Sequence, residues 1–268
     1  MNTPANTSPA HHLALNGVSA LPHWGVIQAQ GEDAADFLHK QLSNDVLLLP
    51  VGQSRLAAFC SAKGRMQASL IVVKTAPDTI LLVLSLDLLA QTLKRLSMFV
   101  LRAKVKMTDA TGQWQLRGLL GDRAKVLLGD AAPWHTVEMA GAYAVALYPS
   151  VLSNVQVPRA LWLAPISKAL PEGPELSSEV WQWAEVMSGV TLLTQPVFEA
   201  FVPQMLNYES VGGVNFKKGC YPGQEVVARS QFRGTLKRRA YIAHAAAEVA
   251  VGAEVFSTSD LEQPCGTV

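Results

Sequence analysis

The strongest constraint on the fold is a pair of apolar segments joined by a tight turn. Residues 56–60 and 66–73 both have strand character, and only residues 61–65 separate them. Gly64 in this connection can supply the positive φ that a tight turn requires. Two strands joined by so short a connection pair in antiparallel fashion. The sequence therefore predicts a β-hairpin, and with it an antiparallel sheet.

Further strands and helices alternate along the chain. Strand patterns cover residues 24–29, 80–84, 104–107, 115–119, 143–148 and 160–163. Helix patterns cover residues 34–42, 87–100, 122–128, 177–190 (with Ser177 as the cap) and 224–231. Mixed short elements with hairpins and few long crossovers predict the α+β class with antiparallel sheets.

Both ends of the chain differ from its middle. Residues 1–14 show no regular pattern and are expected to form a disordered tail. After Gly234 the residues at 239–244 alternate in polarity, and residues 253–256 read as a strand. The chain then stops on a β-like stretch, residues 264–268. We expect an all-β element to begin after residue 234 and to be truncated.

Composition excludes several classes of function. The formal net charge is +1, from 22 basic and 21 acidic residues, so nothing attracts the whole protein to nucleic acid or an anionic membrane. The most apolar window, residues 79–93, is too short and too polar to span a membrane, and the N-terminus lacks the pattern of a signal peptide. The three cysteines form no CxxC pair and the histidines no HxxxH pattern. We therefore predict no metal site and a reducing, cytoplasmic location.

The main functional signal is the setting of Cys220 within residues 216–229. Pro222 suits a first helical turn, which places the cysteine just before the helix that starts near Gln224. The helix dipole, with Lys218 and Arg229, favours a reactive thiolate. The alternative is that Cys220 is a small packed side chain, as most free cysteines are.

Residues 218–225 read Lys-Gly-Cys-Tyr-Pro-Gly-Gln-Glu. This run resembles the hallmark Lys-Gly-Cys-aromatic-x-Gly-Gln-Glu of the YgfZ-type folate-binding proteins, relatives of the glycine-cleavage T-protein (aminomethyltransferase). Residues 201–204, 207, 31–38 and 63–66 are also similar to that family. Tyr208 and Glu209 stand where relatives often have a leucine and a variable residue, which predicts a different channel wall.

The resemblance implies a fold of intertwined ferredoxin-like subdomains with antiparallel sheets over residues 15–234, around a central folate channel. It also implies a C-terminal β-barrel, which residues 235–268 would only begin. The implied function is a folate-binding accessory protein that supports assembly or maintenance of iron–sulfur enzymes, and thereby tRNA modification. Its partners would be iron–sulfur proteins or their assembly factors, and its cofactor tetrahydrofolate or another folate.

The resemblance also implies the site residues. Trp24 and Trp181 match the family's two folate-contacting tryptophans, whose indoles suit stacking on a pterin ring; the alternative is that both are core aromatics. Lys218, Tyr221 and Arg229 are assigned to folate contact as well. The chemistry is assigned to the thiol of Cys220, with Lys218 and Glu225 beside it.

Two other functions stay open. Kinship with T-protein suggests a tetrahydrofolate-dependent aminomethyl- or methyltransferase, for which Asp45, Glu185 and Glu209 are candidate acids or bases. The basic residues near Phe232 suggest an RNA-binding module, although direct nucleic-acid binding is disfavoured by the near-neutral charge. Whether the protein is an enzyme is not decided by its sequence.

Overall fold

A computed structural model describes residues 15–234, 236 and 238–268. The tail predicted for residues 1–14 lies outside the described residues. The strands are β1 (Gly17–Ala20), β2 (Trp24–Gln30), β3 (Ser54–Cys60), β4 (Met66–Ala76), β5 (Thr79–Ser85), β6 (Lys106–Asp109), β7 (Trp114–Leu120), β8 (Thr136–Met139), β9 (Ala142–Leu152), β10 (Val155–Pro165), β11 (Glu175–Leu176), β12 (Glu254–Ser257) and β13 (Asp260–Thr267). The helices are α1 (Ala34–Gln41), α2 (Leu86–Met98), α3 (Asp122–Leu128), α4 (Ser178–Val186) and α5 (Gln224–Phe232).

Two large sheets are built from interleaved parts of the chain. One has the strand order β3-β4-β5-β2-β6 and is antiparallel throughout. The other has the order β11-β1-β7-β10-β9-β8 and is antiparallel except for the β1–β11 pair. Strand β1 precedes the whole first sheet in sequence but lies in the second. The predicted α+β class with antiparallel sheets is confirmed, and the two subdomains are intertwined.

The core is divided by strand alternation, as β5 shows. Leu81 and Val83 belong to a central cluster that also contains residues of the second sheet, such as Val145 and Leu161. The alternate residues of β5, such as Leu82, pack with α1 and α2 on the outer face. Helix α3 covers the outer face of the second sheet in the same way. The two sheets thus face each other across one central core.

The predicted hairpin is present with its expected turn. Strands β3 and β4 pair antiparallel, and Gly64 has a φ of +70°. The strand predicted at residues 104–107 begins only at Lys106. The N–H of Lys104 instead donates to the carboxylate of Asp33, before α1, and the carbonyl oxygen of Lys104 accepts from the N–H of Asp33. The cap of α4 is confirmed, since Oγ of Ser177 accepts from the N–H of Val180 at 3.3 Å. That helix ends at Val186 rather than at residue 190.

The C-terminal segment differs from expectation in one respect. The alternating residues 239–244 form no strand, because the Arg239 guanidinium turns inward to the carbonyl oxygen of Gln204, the side chain of Asn207 and the carboxylate of Glu209. Strands β12 and β13 form a two-stranded antiparallel sheet, and the strand predicted at 253–256 is confirmed. Residues 236 and 238–268 contain no closed barrel, and the domain boundary at residue 234 stays a prediction. No helix in the described ranges is long and apolar enough to cross a membrane.

Candidate functional site

The cysteine motif is held against the tip of the β3–β4 hairpin by two glycines. Gly223 precedes α5 with a φ of +79°, and a Cβ there would lie 2.4 Å from the carbonyl oxygen of Ser61 and 2.6 Å from Cα of Gly64. A Cβ on Gly64 would lie 2.9 Å from that of Val226 in α5. The two segments therefore pack backbone to backbone, and only glycine fits at the contact.

Gly223→Ala tests this contact. The substitution combines an unfavourable left-handed backbone with overpacking, so we expect the free energy of unfolding to fall by about 3 kcal/mol. Gly189→Ala is the control, because Gly189 also has a positive φ, of +70°, but a Cβ there meets nothing within 4 Å. Urea unfolding should show a markedly smaller loss for the control. Equal losses of stability in the two variants would show that the strained backbone conformation, and not the close packing at Gly223, causes the destabilisation.

Cys220 is exposed, unlike Cys60, whose burial in β3 raises its pKa to about 12. The predicted helix 224–231 is confirmed as α5, with one additional residue, Phe232. The prediction for Pro222 is wrong, since it lies in the turn before the cap residue Gly223 and not in the first helical turn. The thiol therefore lies on an exposed loop, and Cys220 is four residues before the first residue of α5.

Lys218 is buried and points away from solvent. Its ammonium donates to the carbonyl oxygen of Leu42 at 2.7 Å and to that of His39, so it neutralises the C-terminal end of α1. The ammonium also lies 4.9 Å from the ring centre of Tyr221. Burial lowers the pKa of Lys218 to about 8, and the charges of Asp45 and Cys220 oppose this shift.

The other predicted motif residues divide between core and surface. Tyr221 is buried, and burial, with a smaller contribution from Cys60, raises the pKa of its phenol. Glu225 and Arg229 form an exposed i,i+4 ion pair at 3.1 Å on α5, a type of contact that contributes roughly 0.3–0.5 kcal/mol. Contacts of these residues with folate stay predictions.

A small cavity of about 40 Å³ lies in the central core between the two sheets. It is lined by Trp24, Leu56, Ser69, Leu70, Ile71, Trp134, Leu147, Tyr148, Arg159, Glu185, Val190, Thr191, Leu192 and Tyr208. Tyr208, singled out in the sequence, is thus part of the wall. Cys60, which contributes to the raised pKa of Tyr221, also contributes to the raised pKa of Tyr208.

A buried ion pair faces this cavity. Nη2 of Arg159 lies 3.8 Å from Oε1 of Glu185, and its guanidinium lies 4.6 Å from the ring centre of Trp181. Burial lowers the pKa of Arg159 to about 10, which the Glu185 carboxylate opposes, so the guanidinium remains charged at neutral pH. The Trp181 ring also packs on Gly118, where a Cβ would lie 2.4 Å from it. Trp24 therefore lines the cavity itself, whereas Trp181 lies behind Arg159.

Several polar groups around this cavity are buried and have no hydrogen-bond partner. They are Nε1 of Trp24, Nε of Arg159, Nε1 of Trp181 and both ring nitrogens of His23, although Nε2 of His23 lies 3.5 Å from the Glu185 carboxylate. An unsatisfied buried polar group costs about 1–3 kcal/mol. Such a concentration of unpaired donors is typical of a site that completes its hydrogen bonds with a ligand.

A wider cleft of about 510 Å³ adjoins the cavity and shares Leu56 and Trp134 with it. Its wall also contains Arg55 from β3 and His135 from the segment before β8. Oγ of Ser54 donates to the carbonyl oxygen of Trp134 at 2.7 Å, which fixes the two walls to each other. The cleft thus adds polar groups beside the space between the sheets.

The structure separates the predicted site residues into two groups. Trp24 lines the central cavity and Trp181 lies behind Arg159. The others lie around the cysteine motif: Lys218, Cys220, Tyr221, Glu225 and Arg229. Sequence reasoning did not select Arg159, which stands alone in the apolar run of β10; a charge within a buried strand was the signal available. The described ranges contain no cluster of three His, Cys, Asp or Glu side chains that could hold a metal ion.

The basic cluster near Phe232 is weaker than its sequence suggests. Arg229 is paired with Glu225, and Arg239 turns inward to Glu209. Arg233 and Arg238 are exposed, and Lys237 lies outside the described residues. The geometry therefore gives the RNA-binding alternative little support.

Comparison with known proteins agrees with this architecture. Residues 12–147 match the GCVT N-terminal domain model, and the glycine cleavage system aminomethyltransferase T from Bartonella henselae has a similar fold, with a TM-score of 0.57 and 16% identity. The match covers 82% of this chain and 64% of that protein. This chain thus spans less than two thirds of the length of that neighbour.

More similar in sequence are two proteins called tRNA-modifying protein YgfZ. That of Hamiltonella defensa is 30% identical over 244 residues, covering 87% of this chain and 71% of its own. That of Edwardsiella ictaluri is 28% identical over 264 residues, covering 92% and 77%. The chain therefore belongs to the GCVT N-terminal domain family and to its YgfZ-type members, which confirms the resemblance seen in the cysteine motif.

Proposed function

We propose that the protein binds a folate between its two sheets and acts as a cytoplasmic accessory factor for iron–sulfur enzymes, and thereby for tRNA modification, with Cys220 as its functional thiol. The observation that carries the folate part is the central cavity with its unpartnered buried donors and its Arg159–Glu185 pair. The tRNA part is supported by the names of the YgfZ relatives. The thiol part is supported by the exposure of Cys220 within the family motif.

The chemistry of the residues at the cavity is suited to binding a pterin. A pterin has a flat ring, which suits the Trp24 indole, and an amino-pyrimidine edge, whose N–H donors suit the Glu185 carboxylate. The cavity of about 40 Å³ is, however, far smaller than the roughly 300–1,000 Å³ of ordinary ligand sites. Leu56 and Trp134 line both the cavity and the cleft. Folate binding therefore requires this shared wall to move. The bound folate would supply a one-carbon carrier, and the protein would bind and orient it.

The adjoining cleft suits the anionic end of a folate. Arg55 is partly exposed there and makes no ion pair within the described ranges, and His135 is exposed nearby. Lys218 and Arg229, which the resemblance assigned to folate contact, are bound to helix α1 and to Glu225 respectively. We therefore favour Arg55 for the tail carboxylates.

Tryptophan substitutions test the proposed pterin position. Tetrahydrofolate should quench the intrinsic fluorescence, and Trp24→Phe should remove much of the quench and weaken binding about 2- to 10-fold, since an aromatic pair contributes about 0.5–1.5 kcal/mol. Trp181→Phe should have a smaller effect, because Arg159 lies over that ring. Trp183→Phe, on the same helix but not at the cavity, is the control. Identical quenching in wild type and Trp24→Phe would contradict this position.

A folate-dependent transferase remains the second candidate, because Glu185 is a carboxylate at the cavity wall. Such an enzyme places an acid or base beside the folate nitrogen that accepts the carbon. It predicts formation of a one-carbon tetrahydrofolate product from a methylamine donor. If the protein binds folate but forms no product with any of a panel of such donors, the accessory role explains the observations better than the transferase does.

A further inference from the structure

Trp134 stands at the boundary between the central cavity and the cleft. Of the residues that line these two spaces, Leu56 and Trp134 are shared. Leu56 lies in β3 and is only 3% exposed within the central cluster, whereas Trp134 is half-buried in the segment before β8. A movement that joins the two spaces is therefore easier for the indole of Trp134 than for the side chain of Leu56.

The backbone of Trp134 is held in a conformation that a bulky residue rarely adopts, with a φ of +69°. Its N–H donates to the carbonyl oxygen of Ala146 at 2.7 Å, and its carbonyl oxygen accepts from Oγ of Ser54 at 2.7 Å. The N–H of Ala146 also donates to the carbonyl oxygen of His135 at 2.8 Å. Strained residues of this kind persist where their surroundings determine them, and they cluster at ligand sites and switches. Because both sides of the residue are anchored, the part that can move is the side chain.

The indole of Trp134 is held by contacts that can be released. Its Nε1–H group donates to the carbonyl oxygen of Val211 at 2.7 Å, and its ring centre lies 6.0 Å from that of Tyr148. The net contribution of one such hydrogen bond is small, because water can replace either partner where the group reaches solvent. Movement of the indole thus breaks one replaceable hydrogen bond and leaves the three backbone hydrogen bonds intact.

We propose that the side chain of Trp134 is a gate between the cavity and the cleft. When the indole leaves the carbonyl oxygen of Val211, the cavity of about 40 Å³ joins the cleft of about 510 Å³. The joined space takes a ligand with a flat ring at Trp24 and an anionic end at Arg55. This inference rests on the proposed folate site and deepens it, because it assigns the movement that the site requires to one side chain.

Fluorine NMR tests the gate without any ligand. Incorporation of 5-fluorotryptophan gives one signal for each of the six tryptophans, and exchange of H₂O for D₂O shifts the signals of indoles that contact solvent. Trp24 lines the cavity and is 5% exposed, so its signal should respond little in the wild type. Trp134→Gly removes the indole and suits the positive φ. In this variant the Trp24 signal should acquire the solvent shift of an exposed indole.

Trp114→Ala is the matched control for this measurement. Trp114 is also half-buried and packs on a tyrosine, with its ring centre 6.4 Å from that of Tyr143, but it lines neither space. The Trp24 signal should stay unresponsive in this variant. The signal of the fully buried Trp181 shows whether each variant is folded. An unresponsive Trp24 signal in folded Trp134→Gly, or an equal response in Trp114→Ala, would overturn the proposal.

Rapid mixing with tetrahydrofolate separates the gate from the folate site. In the wild type the observed binding rate should level off as the concentration rises, because opening precedes entry. Trp134→Phe keeps an aromatic ring but cannot donate to Val211, so association should be about 2- to 10-fold faster. If Trp134→Gly also exposes Trp181, these rates decide, and a linear rate that is equal in wild type and Trp134→Phe contradicts the gate. If no protein binds tetrahydrofolate but Trp24 becomes exposed in Trp134→Gly, the folate site is rejected and the gate is supported.

Discussion

Cys220→Ala is expected to abolish complementation of an iron–sulfur enzyme defect without loss of the folded state. The side chain is exposed, so its removal leaves no core cavity, and the free energy of unfolding should change by less than about 0.5 kcal/mol. Activity should fall at least about 100-fold, because no neighbouring cysteine can replace the nucleophile. The measurement is growth or enzyme activity in a strain that lacks the endogenous homologue.

Cys265→Ala is the matched control for this experiment. Cys265 is also an exposed free cysteine, but it lies in β13, away from the family motif. It should complement as well as the wild type. Full complementation by Cys220→Ala would exclude the thiol role while leaving the folate site untouched.

Glu185→Gln is expected to weaken tetrahydrofolate binding by about 10- to 100-fold. A hydrogen bond to a charged group contributes about 1.5–3 kcal/mol, and the amide both loses the charge and presents an N–H₂ group toward a ligand donor. The change should also lower stability, because it leaves Arg159 as an uncompensated buried charge. Binding should therefore be measured at a temperature where circular dichroism shows the variant to be folded.

Glu179→Gln provides the comparison on the same helix. Glu179 lies in the first turn of α4 and is exposed, so its substitution should leave affinity unchanged. If Glu185→Gln binds tetrahydrofolate as tightly as Glu179→Gln does, the carboxylate does not contact the ligand. The pterin edge would then have to lie elsewhere in the cavity.

The local elements were largely predictable, because each depends on short-range signals. The continuous apolar run of β5 indicates a buried strand. The turn at Gly64 and the cap at Ser177 likewise specify a hairpin and a helix start. The apolar alternation at residues 239–244 failed as a strand signal, because Arg239 is drawn into contacts with residues about 30 positions earlier. Such long-range polar contacts leave no periodic trace in the sequence.

The site was predictable only in part for a similar reason. The cysteine motif is contiguous, so its residues could be selected directly. The cavity is formed by residues from both sheets, and the pairing of Arg159 with Glu185 follows from tertiary packing alone. The contacts of the Lys218 ammonium with the carbonyl oxygens of His39 and Leu42 likewise join residues that are distant in sequence.

The central claim is that the space between the two sheets is a folate site. Calorimetric titration of the wild-type protein with tetrahydrofolate tests it most directly, with Glu185→Gln and Glu179→Gln alongside. The account predicts saturable binding at one site per chain, weakened in Glu185→Gln and unchanged in Glu179→Gln. Absence of binding to the folded wild-type protein, or equal affinity in all three proteins, would contradict it.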